Sequence, residues 1–533
     1  MVKNNLWIIP FLLLGASISA SGQVNVSGSI QSDVLLPQMD ENIGTEDYDE
    51  FALTNTYTDV SLMSKNVDAG VRMEFMKYPL PGFEKDFKGW GVPHAYVKAH
   101  SEKLELTAGT FYDQFGSGFI YRTYEERSLG IDNALLGGRL VYKPVQNVSL
   151  KALTGKQRQY WSLADSWISG ADAEWNMGSL TFGASFVNKR ENQEVIMTDA
   201  IHKLNLPENV TAFDVRAQMQ KDGIDLLAEY AWKSQDPSFD NGYSYRYGYV
   251  VMLSASYSQR GSSILLQTKR SDNMSFRSER SATGTSSFIN HLPAFTMEHT
   301  YTLPALYPYA TNPWGEWAYQ LEVAHTFNRN TVLGGKYGTT IKVNYSHIHD
   351  IDHNWKTHEG SLVGTDGYGS AFWKWGDQMF YQEWNVQIDK KLSKSLKLHL
   401  MYMNQFYNKT VVEGEGGMIH SDILVADGKY SFSKKVALRV ETQYLFTKND
   451  LGDWAFGFAE LSLAPHWMIS LSDLYNVGET HLHYYKGSVT CSFSSHRLQL
   501  GYGRTKAGYN CAGGVCRYVP ASRGWMLSYN YNF

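Results

Sequence analysis

The chain has 533 residues, with 48 Lys and Arg against 53 Asp and Glu, a formal net charge of −5. That balance gives no basic stripe for nucleic acid, and a mean hydropathy of −0.35 excludes a bundle of apolar membrane helices. What stands out is 35 Tyr, 25 Phe and 15 Trp beside 46 Gly and only 14 Pro, a composition that disfavours disorder and suits one large all-β unit.

The first element is the apolar run from Leu6 to Leu14 after Lys3, too short to span a bilayer. With Ala20-Ser21-Gly22 behind it, it predicts a cleaved secretory signal peptide over 1–22 and a mature start at Gln23. Export implies an oxidising compartment. There Cys511 and Cys516, separated by Ala512-Gly513-Gly514-Val515, are expected to form a disulfide. Cys491 reads as a lone strand residue.

From Gln23 onward, apolar and polar residues alternate in short runs, the mark of strands with one oily and one wet face. The first runs fall at 23–34, 50–64, 67–78, 93–100 and 103–111, followed by 134–144, 147–155, 169–177 and 180–188. At 211–220, Phe213, Val215 and Ala217 alternate with Asp214, Arg216 and Gln218. Lys221-Asp222-Gly223 then turns the chain into 223–233, where Glu229 lies on the polar face. Next come 245–258, 262–270, 315–327, 337–349 and 378–391, the last with Glu383 and Asp389 opposite Trp384, Val386 and Ile388. The remaining runs are 395–408, 418–432, 435–447 (with Arg439 and Glu441), 453–463, 466–475, 480–494, 496–505 and 524–533.

Connections alternate in length. Ser101-Glu102, Gly178-Ser179, Ser433-Lys434 and Ser494-Ser495 are tight, whereas 112–133, 189–210, 271–314, 350–377 and 506–523 are long. A transmembrane barrel has this asymmetry, with short periplasmic turns and long extracellular loops. Every backbone polar group in a bilayer must be paired, so a chain without spanning helices crosses only as a closed sheet. The expected fold is therefore all-β: a single antiparallel transmembrane β-barrel of about 22–24 strands over 23–533. None of the 14 Pro is expected in mid-strand. A soluble or surface all-β protein leaves the alternating loop lengths unexplained.

The signal peptide, the mature Gln23, the barrel pattern and the terminal aromatic strand together resemble Gram-negative outer-membrane β-barrels. Phe115-Gly116-Ser117-Gly118-Phe119 and Tyr124-Glu125-Glu126-Arg127-Ser128-Leu129-Gly130-Ile131-Asp132-Asn133 are similar to an uncharacterised porin-like barrel family of Bacteroidota. The resemblance implies residence in the cell outer membrane among its lipids. It also implies that Phe533 is an assembly signal for the barrel-assembly machinery, and it brings no activity with it.

Several candidate sites follow. Arg122, Glu125, Glu126 and Arg127 could set a charged lumen constriction or brace a salt-bridged plug. Arg216, Glu229, Glu383, Asp389, Arg439 and Glu441 are expected to line the lumen. His347, His349, Asp352 and His353 make a weak zinc or copper candidate, with Asp350 and His358 nearby, but the spacing fits no firm metal motif. Glu41, Glu46, Asp47, Asp49 and Glu50 make an acidic first loop, solvated or attractive to cations. The aromatic-rich loop 271–314 could stack a glycan or a partner protein, or cover the barrel mouth as a lid. No nucleophile elbow or cofactor motif occurs, so neither enzymatic activity nor a cofactor is expected.

Two functions compete. One is a porin-like channel for small solutes through the polar lumen; above about 16 strands a barrel is wide enough for water unless plugged. The other is a non-conducting subunit docking surface lipoproteins or another barrel through its long loops. Strands that begin near Gln23 leave no N-terminal plug domain, an expectation against TonB-dependent transport.

Overall fold

The computed structural model describes residues 24–192, 195–197, 201 and 203–533; the expected signal peptide lies outside them. The strands, in chain order, are β1 (Asn25–Pro37), β2 (Leu53–Met63), β3 (Val67–Met76), β4 (Gly89–His100), β5 (Leu104–Phe111), β6 (Leu135–Tyr142), β7 (Val148–Gln159) and β8 (Trp167–Met177). Then come β9 (Leu180–Arg190), β10 (Asn209–Lys221), β11 (Ile224–Lys233), β12 (Gly248–Gln259), β13 (Ser262–Asp272), β14 (Gly315–Phe327), β15 (Thr339–Ile351) and β16 (Trp375–Lys391). The last eight are β17 (Leu396–Asn408), β18 (Met418–Ser431), β19 (Val436–Thr447), β20 (Trp454–Leu463), β21 (Trp467–Asn476), β22 (His483–Phe493), β23 (His496–Thr505) and β24 (Ser522–Asn532). These 24 strands and the two-residue strand Ser162–Leu163 make one 25-stranded sheet.

Each strand pairs antiparallel with its chain neighbour, and β1 pairs with β24 from Ser29↔Asn532 to Pro37↔Gly524. The sheet is therefore a closed barrel without a free edge, which satisfies the backbone as a bilayer demands. The Asp222-Gly223 hairpin has φ of 51° and 83°, the doubly positive turn that matches strand twist.

Alternation sorts the side chains as the pattern predicts. Leu226, Leu253 and Leu266, on three adjoining strands, stand 40%, 53% and 57% exposed on the outside. Asp214, Glu229 and Lys269 are buried on the inside. An outer belt of this kind is stable only against lipid.

Pro93 departs from expectation. It lies inside β4, at the irregularity between Arg72 and Glu74 in the β3–β4 register, where the ladder is interrupted and a missing N–H is tolerated. The core is also unusual in its place: the apolar cluster sits inside the barrel, where loop residues such as Phe119 and Ile289 join wall residues such as Ile168 and Met403.

Candidate functional site in the barrel lumen

The long connections 112–134 and 273–314 fold inward and meet. In the first, Gly116 (φ +50°) takes a left-handed turn so close to the wall that a Cβ would lie 2.6 Å from a Glu229 carboxylate oxygen, and only glycine fits. Ser117 then donates to Glu229 from its backbone N–H at 2.9 Å and from its hydroxyl at 2.5 Å. Beside it Arg216 reaches Asp172 and Glu174 at 2.7 Å and Asp214 at 3.0 Å. Phe119, Ile120 and Tyr121 follow, all fully buried.

The other end of this loop grips β1–β3 and β7. Glu125 accepts from Arg72 at 2.8 Å and Arg127 at 2.7 Å. Arg127 also donates to Asp59 on β2 and Gln31 on β1 and stacks 4.2 Å over Tyr57. Arg158 bridges Asp132 at 2.5 Å and Glu74 at 2.6 Å. Burial pushes the Asp132 carboxyl up, but Arg158 and Arg72 beside it outweigh this and hold it below the usual aspartate range.

The second loop locks onto the first. Asn290 donates to the carbonyls of Phe119 and Met274 at 2.9 and 2.8 Å, and the Arg122 N–H donates to the Ile289 carbonyl. Gln157 on β7 donates to the Phe288 carbonyl at 2.6 Å. Burial, with Arg122 and Lys269 nearby, holds His291 down to about 3, so it stays neutral in this packing. From there the chain becomes a polar finger over 296–302. Met297 accepts from Asn385 and Gln387, His299 bonds Glu383 at 2.9 Å, and the Tyr301 hydroxyl donates to Asp427 at 3.2 Å. Asp427 is near the short-turn end of β18 and His399, stacked under Tyr301 at 5.3 Å, is near that end of β17, so the finger runs deep into the barrel. Glu298 and Thr300 are exposed to the lumen.

A third connection, 506–521, is a hairpin of Gly508–Ala512 and Val515–Val519 closed by the Cys511–Cys516 disulfide. Its tip touches the second loop: the Gly513 N–H donates to Glu298 at 2.6 Å, and the Thr311 N–H donates to the Gly514 carbonyl at 3.0 Å. Arg517 and Asn510 donate to the Ser128 carbonyl in the first loop. The wall left bare of plug contacts carries small polar groups, such as Ser470 and Ser488 (2.8 Å apart), Gln499, and Ser27 with Ser61 (2.9 Å).

The model of DUF6029, a family of unknown function, matches residues 1–533. The chain belongs to that family. No curated protein matches it. Among solved structures, this DUF6029 barrel is similar to the siderophore receptor PirA from Pseudomonas aeruginosa (10% identity, TM-score 0.43, covering 96% of this chain and 80% of that one). It is also similar to the P pilus usher PapC translocation pore (9% identity, TM-score 0.46, 96% and 99% covered). OccAB3 of Acinetobacter baumannii matches at 9% identity and a TM-score of 0.39, with 96% and 99% covered.

The expected site residues of the DUF6029 barrel fall in distinct places. Glu125 and Arg127 are joined in the ion network against β1–β3. Arg122 instead lies 4.5 Å over the Tyr124 ring, and Glu126 accepts from the Ser128 N–H at 3.0 Å, so the four do not converge as one ring. Among the expected lumen residues, Glu229, Glu383 and Glu441 are buried and Arg216 is half-buried among its ion partners, whereas the Asp389 and Arg439 side chains stay 44% and 33% exposed.

The histidine cluster is dispersed. His347 and His349 face outward in an aromatic girdle with Trp375, 5.5 and 4.9 Å away, while His353 pairs with Asp350 and Asp352 with Lys374. Among the described residues no group of three or more His, Cys, Asp or Glu could hold a metal ion. The acidic first loop stays largely exposed, with Tyr48 donating to Glu46 at 2.7 Å. Cys491 is a free thiol on β22. Phe533 exchanges backbone hydrogen bonds with Gly28, both at 3.0 Å. Sequence reasoning missed His299 and Tyr301, whose partners lie 84 and 126 residues away; only the length of their loop signalled them.

Proposed function

We propose that the protein is an outer-membrane barrel whose own loops hold it closed, a porin-like conduit for small polar solutes that conducts only when part of the plug shifts. One observation carries this reading: loops rooted between β5 and β6 and between β13 and β14 meet inside the barrel and attach at points spread round its wall, from Gln31 and Asp59 on β1 and β2 through Glu229 on β11 to Asp427 and Gln443 on β18 and β19. The apolar outer belt and the alternating connections support the outer-membrane location. The solute path is the hydroxyl-lined wall from β20 through β24 to β1, beside the finger. Serine and glutamine there bind water and solute hydroxyls weakly and reversibly, as a diffusive pore requires. On this reading the protein is a conduit and not an enzyme.

Single-channel recording in a planar bilayer tests it. The intact protein should give rare or very small steps, and a variant with 274–311 replaced by a short Gly-Ser linker should give large ohmic ones. Large steady steps from the intact protein would overturn the closed state. Silence from the folded deletion variant would overturn the conduit and favour the non-conducting subunit. That second reading has its own support, because Phe51 and Trp373 at the long-loop end are each 85% exposed, apolar handles for a lipoprotein or another barrel.

A further inference from the structure

The short-turn end of the barrel carries one connection unlike its neighbours. Between β14 and β15 the chain takes the extra length of 328–338, held compact by Thr331, which donates to the Asn328 carbonyl at 2.7 Å and accepts from the Gly334 N–H at 3.0 Å. At its tip Val332 is fully exposed and Leu333 55% exposed. The tip does not hang off the barrel end. The Leu333 carbonyl accepts from Thr339 at 2.8 Å and from the Lys390 ammonium at 3.3 Å. Thr339 and Lys390 are register partners on the outward face, in line with Val343 and Val386, whereas Lys342 and Asp389 pair on the lumen side. The apolar tip is thus folded toward the lipid side.

Cations continue along this end of the barrel. The adjoining turns bring Arg329, Lys336, Lys394, Lys434 and Lys435 to this edge, and among the described residues none of them pairs with a carboxylate. Lys336 and Lys391 sit 5.7 and 5.4 Å over the Tyr337 ring. Leu392, Tyr430 and Phe432, 49%, 44% and 62% exposed, continue the apolar belt between the charges. By contrast the turn 64–66 offers one cation, Lys65, and 101–103 offers Lys103 beside Glu102.

We propose that this edge is a docking surface for anionic phospholipid headgroups in the leaflet at the short-turn end. Val332 and Leu333 enter the upper acyl region, while the lysines extend along the apolar surface to place their ammonium groups at the phosphates. A basic cluster interleaved with lipid-facing aromatics is complementary to an anionic interface; an acidic protein docking from below would want the tip pointing off the barrel instead. The inference rests on the membrane reading above, since it needs a bilayer around the belt.

The test uses the full barrel in nanodiscs of phosphatidylcholine with a minority of phosphatidylglycerol, followed by partial delipidation and native mass spectrometry. The protein should retain phosphatidylglycerol over phosphatidylcholine by about fivefold or more, the order set by a single lysine's attraction to an anionic surface. Replacing Lys336, Lys394, Lys434 and Lys435 with Gln should bring the two lipids toward parity, and K394Q alone should narrow the gap if the fourfold variant fails to fold. K65Q/K103Q should leave it unchanged, and inorganic phosphate should not compete. Equal retention by a barrel that has entered the nanodiscs, or undiminished preference in the folded variants, overturns this inference alone. Failure to enter any bilayer overturns the membrane reading and this inference with it.

Discussion

The root and the finger of the second inner loop are built from different physics. In the root, Phe276 and Ile289 are fully buried against Phe119, Ile120 and the wall, and each such side chain is worth about 1.5–3 kcal/mol of burial. In the finger, His299 and Tyr301 hold Glu383 and Asp427 by hydrogen bonds to carboxylates, each worth about 1.5–3 kcal/mol, and Glu298 and Thr300 are exposed, so few buried apolar side chains add to them. One loop therefore joins a densely packed apolar part to a part held by a few polar contacts. Closure and opening need not compete for the same contacts.

The root gives the largest effect. Phe276→Ala removes a fully buried ring at which Lys189 and Lys233 also point, each 5.6 Å from its centre, and should cost about 3–5 kcal/mol. Limited proteolysis should then cut within 274–295 in a barrel that still migrates as folded. Resistance equal to that of the parent protein would mean that the ring is not what roots the loop.

Acid should act next, on the carboxyls that fix the two inner loops, Asp132 in the first and Asp450 under Tyr307 of the second. Lys409 and Tyr307 outweigh the effect of burial at Asp450, as Arg158 and Arg72 do at Asp132, and both carboxyls sit below the usual aspartate range. A depressed carboxyl stabilises fully above its ordinary value and loses that contribution as pH falls through the folded value. Conductance should stay flat from about pH 7 to about pH 5 and rise only under stronger acid. A rise already near neutrality would place the gate on other groups.

Much of this scaffold was legible in the sequence. All 24 strands were anticipated, because a side-chain period of two leaves its mark on each strand separately. The edges were missed for local reasons: Pro93 suggested a strand start, although β4 begins at Gly89, and the polar run after Gly155 hid the continuation of β7 to Gln159. Cys511 and Cys516 declared themselves through two intervening glycines. Alternation also put Arg216, Glu229 and Glu383 on the lumen face. What it could not convey is that Ser117 caps Glu229 from 112 residues away, or that Asn290 reaches the Phe119 carbonyl. Such contacts depend on closure of the whole barrel, and no local pattern encodes them.

Ser117→Ala sharpens the contrast at intermediate scale. It deletes the 2.5 Å hydroxyl bond to Glu229 but leaves the backbone N–H in place, a loss of about 1.5–3 kcal/mol for a bond to a charged group. Hydrogen exchange at 116–121 should speed up while exchange at 274–280 stays unchanged. Coupled acceleration of both stretches would show the two loops opening as one body.

The finger should give the smallest effect and the most direct view of gating. Tyr301→Phe keeps the ring stacked on His399 and removes only the hydroxyl that donates to Asp427. Asp427 keeps its Arg439 partner at 2.8 Å, so no orphaned charge adds to the loss, and the change should be about 1.5 kcal/mol, the low end for a bond to a charged group. Through a two-state gate that becomes roughly a tenfold rise in opening frequency, with step size unchanged because the path itself is untouched. His299→Ala should act in the same direction, and the double variant should combine the two nearly additively if the residues hold the finger independently. Larger steps instead of more frequent ones would mean that these side chains narrow a path already open, and the distinction between root and finger would then mark pore width, not gating.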